Sequence, residues 1–418
     1  MTLSIRDDKY VDPSGPTLPA FMIILLVSFA GLGIDIGFSL KPYMIFLFMF
    51  TVFYLFRMVF VKLQPFEVAM LGFYFIYCFS GIFALYASSS LRIIFGIGLY
   101  LVCYFLMRAI LTSTTIPKLE WSLFVVGLLF NGISLGLYIV GLLVIGTDVP
   151  MDRLVSYGVM MDRGYPRLIG VVDDPNFYVF YNTLFFALYM TMWQTRKGKI
   201  ALLLCVFTSV LTFSRGGLLA LVILLLVFVV THKSLKKIKM VLSLLLGAIA
   251  LHWISISYLS INLYEILYAR MVDFTSDGGS NRFMLWERAV EFITMNHWLG
   301  LGPYNFSSYN DFHYGDTLSV HNTFLDIAAD AGLIGLVVYV SFLFIIIYQL
   351  YQSRLYQIKP YLAFALFGFI LQTISLSIII NDMFFLYLAI VAIYLERFRK
   401  PTSIERGASI ETGLVFNR

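Results

Sequence analysis

The sequence predicts an all-α membrane protein, a polytopic bundle of about 12 transmembrane helices with a large external loop that contains amphipathic helices. Three observations predict it. Of the 418 residues, 60% are hydrophobic and 13% charged, with a mean hydropathy of +0.87, which lies outside the range of soluble globular domains. The apolar residues gather into runs close to the roughly 20 residues that a helix needs to cross hydrocarbon. The strongly basic connections between those runs all fall on one side, as cytoplasmic loops do.

Taken in order, Met1 to Pro19 is polar and contains Asp7, Asp8 and Asp12. It lacks the basic region, apolar core and cleavage site of a signal peptide, so the first apolar run is expected to remain as a helix. The runs lie near 18–38, 43–61, 66–87, 91–110, 119–146, 175–194, 200–213, 217–231, 240–260, 321–349, 360–380 and 383–397. With the N-terminus inside, five basic connections share the cytoplasmic side: Arg108 to Lys118, Arg196 to Lys199, Lys233 to Lys239, Arg354 to Lys359, and Arg397 to Lys400. Residues 1–418 then form a single integral membrane domain, with both termini and the tail 398–418 in the cytoplasm. The net charge of +5 fits loops facing an anionic leaflet and is no argument for nucleic acid. Cys78, Cys103 and Cys205 lie inside apolar runs, so neither a disulfide framework nor a metal spacing follows from them.

Two external loops are long, Thr147 to Asp174 and about 261–320. The second exceeds a connector and has helical periodicity of its own. After Gly278-Gly279, Ser280 is expected to cap a helix whose apolar stripe is Phe283, Trp286, Val290 and Ile293. Asn296 and the turn from Gly300 to Pro303 end it. Such a helix would lie at the interface and aim its arginines along the membrane surface.

Arginine distribution carries the first functional signal. Nine of the 29 Lys and Arg fall outside: Lys41 and eight arginines, Arg92, Arg153, Arg163, Arg167, Arg215, Arg270, Arg282 and Arg288. Basic residues are depleted on that side, and Arg suits bidentate recognition of phosphate or carboxylate. An anionic ligand, with a lipid-linked phosphate as the natural candidate, is one reading; arginines snorkelling to lipid headgroups is the other.

Arg215 stands out. It sits in Ser214-Arg215-Gly216-Gly217, between two apolar segments each shorter than a full span. A tight hairpin with its tip below the outer surface would explain both lengths, the glycines permitting close backbone approach. A partly desolvated cation there needs a ligand, or an acid such as Asp35, Asp173 or Asp174. His321 opens a long apolar helix in which Asn322, Asp326 and Asp330 recur every four residues on one face. A neutral imidazole there can be a general base near pH 7 or a structural interface residue. Of the other histidines, His313 is a second candidate near the helix entrance. Asp174 reads as an N-cap before Pro175, which is reason enough for its presence, although Arg163 and Arg167 lie just upstream. No Walker loop, Rossmann glycine pattern or metal-spaced His/Cys/Asp cluster is present, and no cofactor is expected. An enzyme acting outside the cytoplasm has no ATP or nucleotide sugar, so its donor must carry its own activation, as a polyprenyl diphosphate does.

Four stretches together resemble the O-antigen ligase and O-antigen polymerase superfamily of bacterial envelope glycosyltransferases: Asp174-Pro175-Asn176, Ser214 to Gly217, Asn281 to Arg288 leading to Gly300 to Phe306, and His321 to Phe324 with its continuation Ala331 to Gly335. The resemblance covers about 165–345, and Asp330 stands where a Glu would be expected. It implies an active site on the periplasmic face of the bacterial inner membrane. There a glycan would move from undecaprenyl diphosphate to a sugar hydroxyl, without metal and with inversion. Carried over, Arg215, Arg282 and Arg288 hold the diphosphate, with Arg167 beside them, and His321 activates the acceptor. The acceptor would be a second lipid-linked repeat unit in a polymerase, the reading favoured here, or lipid A core in a ligase. A flippase and a chain-length regulator are the expected partners. A secondary transporter is the alternative of another class, but it would favour internal repeats and charges near the midplane.

Overall fold

The computed structural model describes residues 17–398 apart from 36–38, 55–57, 59–60, 146–154, 163, 232–235, 260–261 and 277–280. Every apolar run contains a helix: α1 (Thr17–Ser28), α2 (Pro42–Tyr54), α3 (Pro65–Phe79), α4 (Ala87–Thr112), α5 (Ile116–Ile145), α6 (Pro175–Thr191), α7 (Arg196–Leu211), α8 (Arg215–Thr231) and α9 (Lys236–Leu259), then α13 (Thr323–Gln352), α15 (Pro360–Thr373) and α16 (Asp382–Arg397). Between α9 and α13 lie α10 (Leu263–Ser276), α11 (Arg282–Met295) and α12 (Phe306–Tyr314); α14 (Leu355–Ile358) is a single turn. Five helices are long and apolar enough to cross a membrane, namely 65–83, 87–112, 116–145, 239–257 and 323–352. Shorter apolar helices accompany them, among them α2, α8 and α15.

Two small antiparallel sheets occupy connections. Strands β1 (Ile34–Asp35) and β2 (Ser39–Leu40) pair, and β3 (Val155–Ser156), β4 (Val159–Asp162) and β5 (Tyr165–Leu168) form the second sheet, with Met160 opposite Arg167. Strands of two to four residues are too short to show alternation, so the all-helical expectation missed them.

Helix α6 is buried on every side from Tyr178 to Met190 and forms the centre of the bundle. It packs against α15, α7 and α8, while α13 packs on α3 and α16 on α4. A polar network ties α5, α6 and α7: Asn131 Nδ2 donates to Asn182 Oδ1 at 2.9 Å, and Asn182 Nδ2 donates to Ser209 Oγ at 3.0 Å. Such groups are costly to bury unless satisfied, so the network fixes the register of α7 against α6.

Two runs break earlier than their hydropathy suggests. Helix α1 stops at Ser28, and α15 stops at Thr373 instead of continuing to 380. The second break has a clear cause. Thr323 Oγ1 donates to Leu376 O at 2.7 Å and accepts from Ile378 N at 2.9 Å, so the start of α13 captures the backbone that α15 would have used. Irregular backbone within an apolar region is tolerated where protein surrounds it, and here a β-branched, serine-containing stretch gives up its own helix readily.

The strap 297–306 is zipped onto α13. Leu301 N donates to Ala329 O and Gly302 N to Asp330 O, both at 2.8 Å, and Leu333 N donates to His297 O at 2.8 Å. Gly332 breaks α13 there, at φ 67° and ψ −172°. Only glycine occupies that region without strain. A Cβ on Gly332 would also lie 2.2 Å from Trp298 O. The Asp330 carboxylate closes the strap by accepting from Tyr77 Oη at 2.7 Å and from the backbone N–H groups of Tyr304, Asn305 and Phe306 at 2.8–3.3 Å. It thus occupies the N-terminus of α12 as an anion would.

The expected stripe on α11 needs correcting. Leu285, Ala289 and Phe292 are fully buried and pack with Leu301, Phe306, Val320 and Ala329. Phe283 and Val290 are about half exposed, with Trp286 between the two faces. The helix therefore has one apolar face on the protein and a second one open. Asn281 occupies the N-cap position, and the expected cap Ser280 lies outside the described residues.

Candidate active site

The α7–α8 turn builds the first wall. Phe213 adopts φ 50°, Thr212 O accepts from Arg167 Nε at 2.9 Å, and Ser214 Oγ donates to Asn176 Oδ1 at 2.7 Å. Gly217 lets α8 press against α6, since a Cβ there would lie 2.8 Å from Val179 Cβ. Arg215 is the first residue of α8 and half-buried, held at a tight hairpin as its sequence implied.

The second wall comes from α11. Its first residue, Arg282, brings a guanidinium nitrogen to 4.0 Å from where a Cβ of Gly216 would stand. Ser375, in the broken segment after α15, is closer still, at 2.5 Å. The third wall is the entrance to α13. Asn322 caps that helix, accepting from Phe324 N at 3.0 Å and Leu325 N at 3.2 Å, which leaves His321 just outside it at φ 55°. The fourth is the cap of α6, where Asp174 Oδ1 accepts from Asn176 N at 2.7 Å and Phe177 N at 3.0 Å.

Arg282 and Ser375 meet the hairpin at Gly216, and the charges of the four walls act on one another. Burial pushes the Arg282 pKa down, Arg215 pushes it further, and Asp174 opposes both. Burial and Arg282 hold the His321 pKa below its ordinary value, and Asp174 again opposes them. Arg215, Arg282, His321 and Asp174 thus form one cluster. The carboxylate acting on His321 is Asp174 rather than Asp326. Asp326 and Asp330 instead line a separate cavity of about 140 Å³, together with Tyr304, Ser319 and Ser377. On the open face of α11, Phe283, Trp286, Glu287 and Val290 join Leu325 around a larger cleft of about 570 Å³.

The other expected site residues are held by protein partners, and Arg167 borders the hairpin, donating to Asn176 Oδ1 at 3.5 Å. Arg167 is buried, paired with Asp162 at 2.8 Å, and braces the turn through Thr212. Arg288 donates to Asn310 Oδ1 at 2.9 Å and Asp316 Oδ2 at 3.0 Å, and its guanidinium lies 4.1 Å over the Tyr314 ring. His313 is exposed against Phe292. Arg153, Arg163 and the side chains of Asp35 and Arg270 lie outside the described residues.

Sequence reasoning missed two features. Ser214 and Asn176 are direct partners, although only their motifs were singled out. Lys41 forms a part-buried ion pair with Asp382 at 2.5 Å, and Tyr181 Oη also donates to that carboxylate at 2.7 Å. An Asp opening an apolar run was the available signal.

Residues 200–340 match the family described as O-antigen ligase. The match supports a relation of this segment to the O-antigen ligase and polymerase superfamily. The matched domain runs from α7 into α13 and includes Arg215, Arg282, Arg288 and His321. It assigns the protein to polysaccharide assembly. No curated protein matches the chain. Asp174, Asp382 and the broken segment after α15 lie outside the matched segment.

Proposed function

We propose that the protein is a glycosyltransferase of the bacterial inner membrane that works at the periplasmic face. It moves a glycan from undecaprenyl diphosphate to a sugar hydroxyl, joining repeat units into a polymer. The observation that carries this reading is the meeting of Arg215, Arg282 and His321 from three separate segments.

The chemistry follows from that set. The acceptor oxygen forms a bond to the anomeric carbon while the bond from that carbon to the diphosphate oxygen breaks, which inverts the centre. The acceptor proton passes to the His321 imidazole, and the electron pair leaves with undecaprenyl diphosphate. Two preorganised guanidiniums stabilise the charge that develops on the leaving group, and a base is useful because a sugar hydroxyl is a poor nucleophile. His321 with a lowered pKa is neutral at pH 7 and able to accept. The open apolar cleft along α11 begins next to Arg282 and suits the polyprenyl chain. In this reading Arg215 and Arg282 hold the diphosphate, while Arg167 and Arg288 brace the walls.

A second reading, attachment of the finished glycan to lipid A core, is favoured by the description of the matched family. Deleting the gene separates the two. Loss of polymer with single repeat units remaining on the lipid A core supports the polymerase. Long lipid-linked polymer that never reaches the core supports the ligase. Unchanged surface glycan and lipid-linked pools would contradict both.

A further inference from the structure

We infer that the cavity at the entrance to α13 is an acceptor subsite, where Asp326, Ser319 and Ser377 hold an uncharged sugar of the acceptor glycan near His321. The inference rests on the proposed transfer to a sugar hydroxyl and says where that acceptor binds.

The cavity has a volume of about 140 Å³. A single water needs roughly 10–15 Å³ on that measure, so the space is large enough for a sugar ring. Asp326 is 6% exposed and Asp330 2%, but their surroundings differ. Both oxygens of Asp330 are engaged, Oδ1 by the N–H groups of Asn305 and Phe306, Oδ2 by Tyr77 Oη and the Tyr304 N–H. The Asp326 carboxylate has only Ser377 and the Val320 N–H beside it. The Ser377 Oγ is itself buried and makes no hydrogen bond of ordinary geometry among the described residues. Buried polar groups are normally satisfied. A void bordered by this carboxylate and this hydroxyl is therefore a place where a ligand supplies the missing bonds.

The lining selects the ligand. Among the described residues no cationic side chain borders the cavity and two carboxylates do, which disfavours a phosphate or an acidic sugar. A neutral sugar brings hydroxyl protons, which a carboxylate accepts in charge-assisted bonds. Phe306 and Ile379 add apolar surface for the C–H faces of a ring.

The position ties the cavity to the reaction. Ser319 lies two residues before His321, and Ser377 lies two after Ser375, which stands against Gly216 in the Arg215 hairpin. Two residues span at most about 7 Å. Thr323 fastens the two segments together through Leu376 O and Ile378 N. The cavity and the arginine–histidine cluster thus share two walls, 319–326 and 375–380, and a glycan seated on Asp326 extends naturally to His321.

The test uses the full chain purified in lipid nanodiscs. Saturation-transfer NMR measures binding of two lipid-free probes from the host, the repeat-unit oligosaccharide and the lipid A core oligosaccharide. Retention of undecaprenyl diphosphate and glycan transfer are measured on the same protein. One oligosaccharide should bind, the repeat unit for a polymerase or the core for a ligase. Asp326→Asn keeps the shape and removes the charge. It should weaken that binding, and raise the KM for the acceptor, about ten- to a hundredfold, with undecaprenyl diphosphate retention unchanged. Ser377→Met fills the cavity and should weaken oligosaccharide binding as well, which decides the matter if the Asn variant fails to insert. Wild-type oligosaccharide binding by either inserted variant overturns the subsite alone. So does a wild type that transfers glycan yet binds neither probe. A wild type that neither retains undecaprenyl diphosphate nor transfers glycan overturns the transfer reading beneath it.

Discussion

Arg215 and Arg288 both lie within the matched segment, yet their surroundings differ. Arg215 opens α8 at a turn pinned by Asn176, Thr212 and Ser214. A lysine there keeps the charge but loses the planar fork. Arg215→Lys should therefore lower transfer by about 10²-fold or more, the scale of losing one donor to a developing anion, with normal amounts in the membrane. Near-normal transfer by a normally inserted Lys variant would refute the diphosphate role. Arg288 already has Asn310, Asp316 and the Tyr314 ring as partners. Arg288→Ala should lower stability by about 1–2 kcal/mol, read from thermal unfolding, and leave donor retention intact. Loss of donor retention in a stable variant would return Arg288 to the site. The arginines drew attention in the sequence because the side to which the basic loops assign them normally lacks such residues. Which of them converge was not legible, because Arg282 and Gly216 lie on separate helices that meet only in the tertiary fold. The capping role of Asp174 was legible from Pro175, whereas its approach to His321 is purely tertiary.

At the scale of elements, the broken helices position the site. Gly332 stops α13 so that the strap 297–306 can bond to its exposed backbone, and Asp330 ties down the far end of the strap. The strap in turn anchors α11, whose first residue is Arg282. Gly332→Ala should destabilise the strap by roughly 1–3 kcal/mol or more, the cost of that backbone region for a residue with a Cβ. Hydrogen exchange should then show faster opening at 297–306, with reduced transfer. An Ala variant with unchanged exchange and rate would show that the strap does not need the kink. The glycine-rich continuation after His321 was visible as a motif, but nothing local announces its partner, which lies in the strap. Similarly, the hydropathy of 360–380 reads as one helix, because capture of Leu376 and Ile378 by Thr323 depends on α13 being there. The buried face of α11, Leu285, Ala289 and Phe292, escaped notice for a related reason. Both faces are apolar, and periodicity alone cannot say which one meets protein.

Across the whole molecule, the charges sort to two ends. Arg108 pairs with Glu67 at 2.9 Å, Lys359 pairs with Glu120, and Arg397 donates to Thr112 O, which joins the basic connections of α4, α5, α15 and α16. The opposite ends of these helices carry Lys41 with Asp382 and the cluster around Arg215. That segregation is what alternation of the basic loops implies for a bundle threaded through a membrane. The central claim is a division of labour in which arginines hold the donor and His321 moves the proton. Its most direct test measures undecaprenyl diphosphate retention and glycan transfer on the same purified His321→Ala protein. The account predicts wild-type retention with transfer reduced at least about 10²-fold. Wild-type transfer, or a loss of transfer that merely follows a loss of retention, would contradict it.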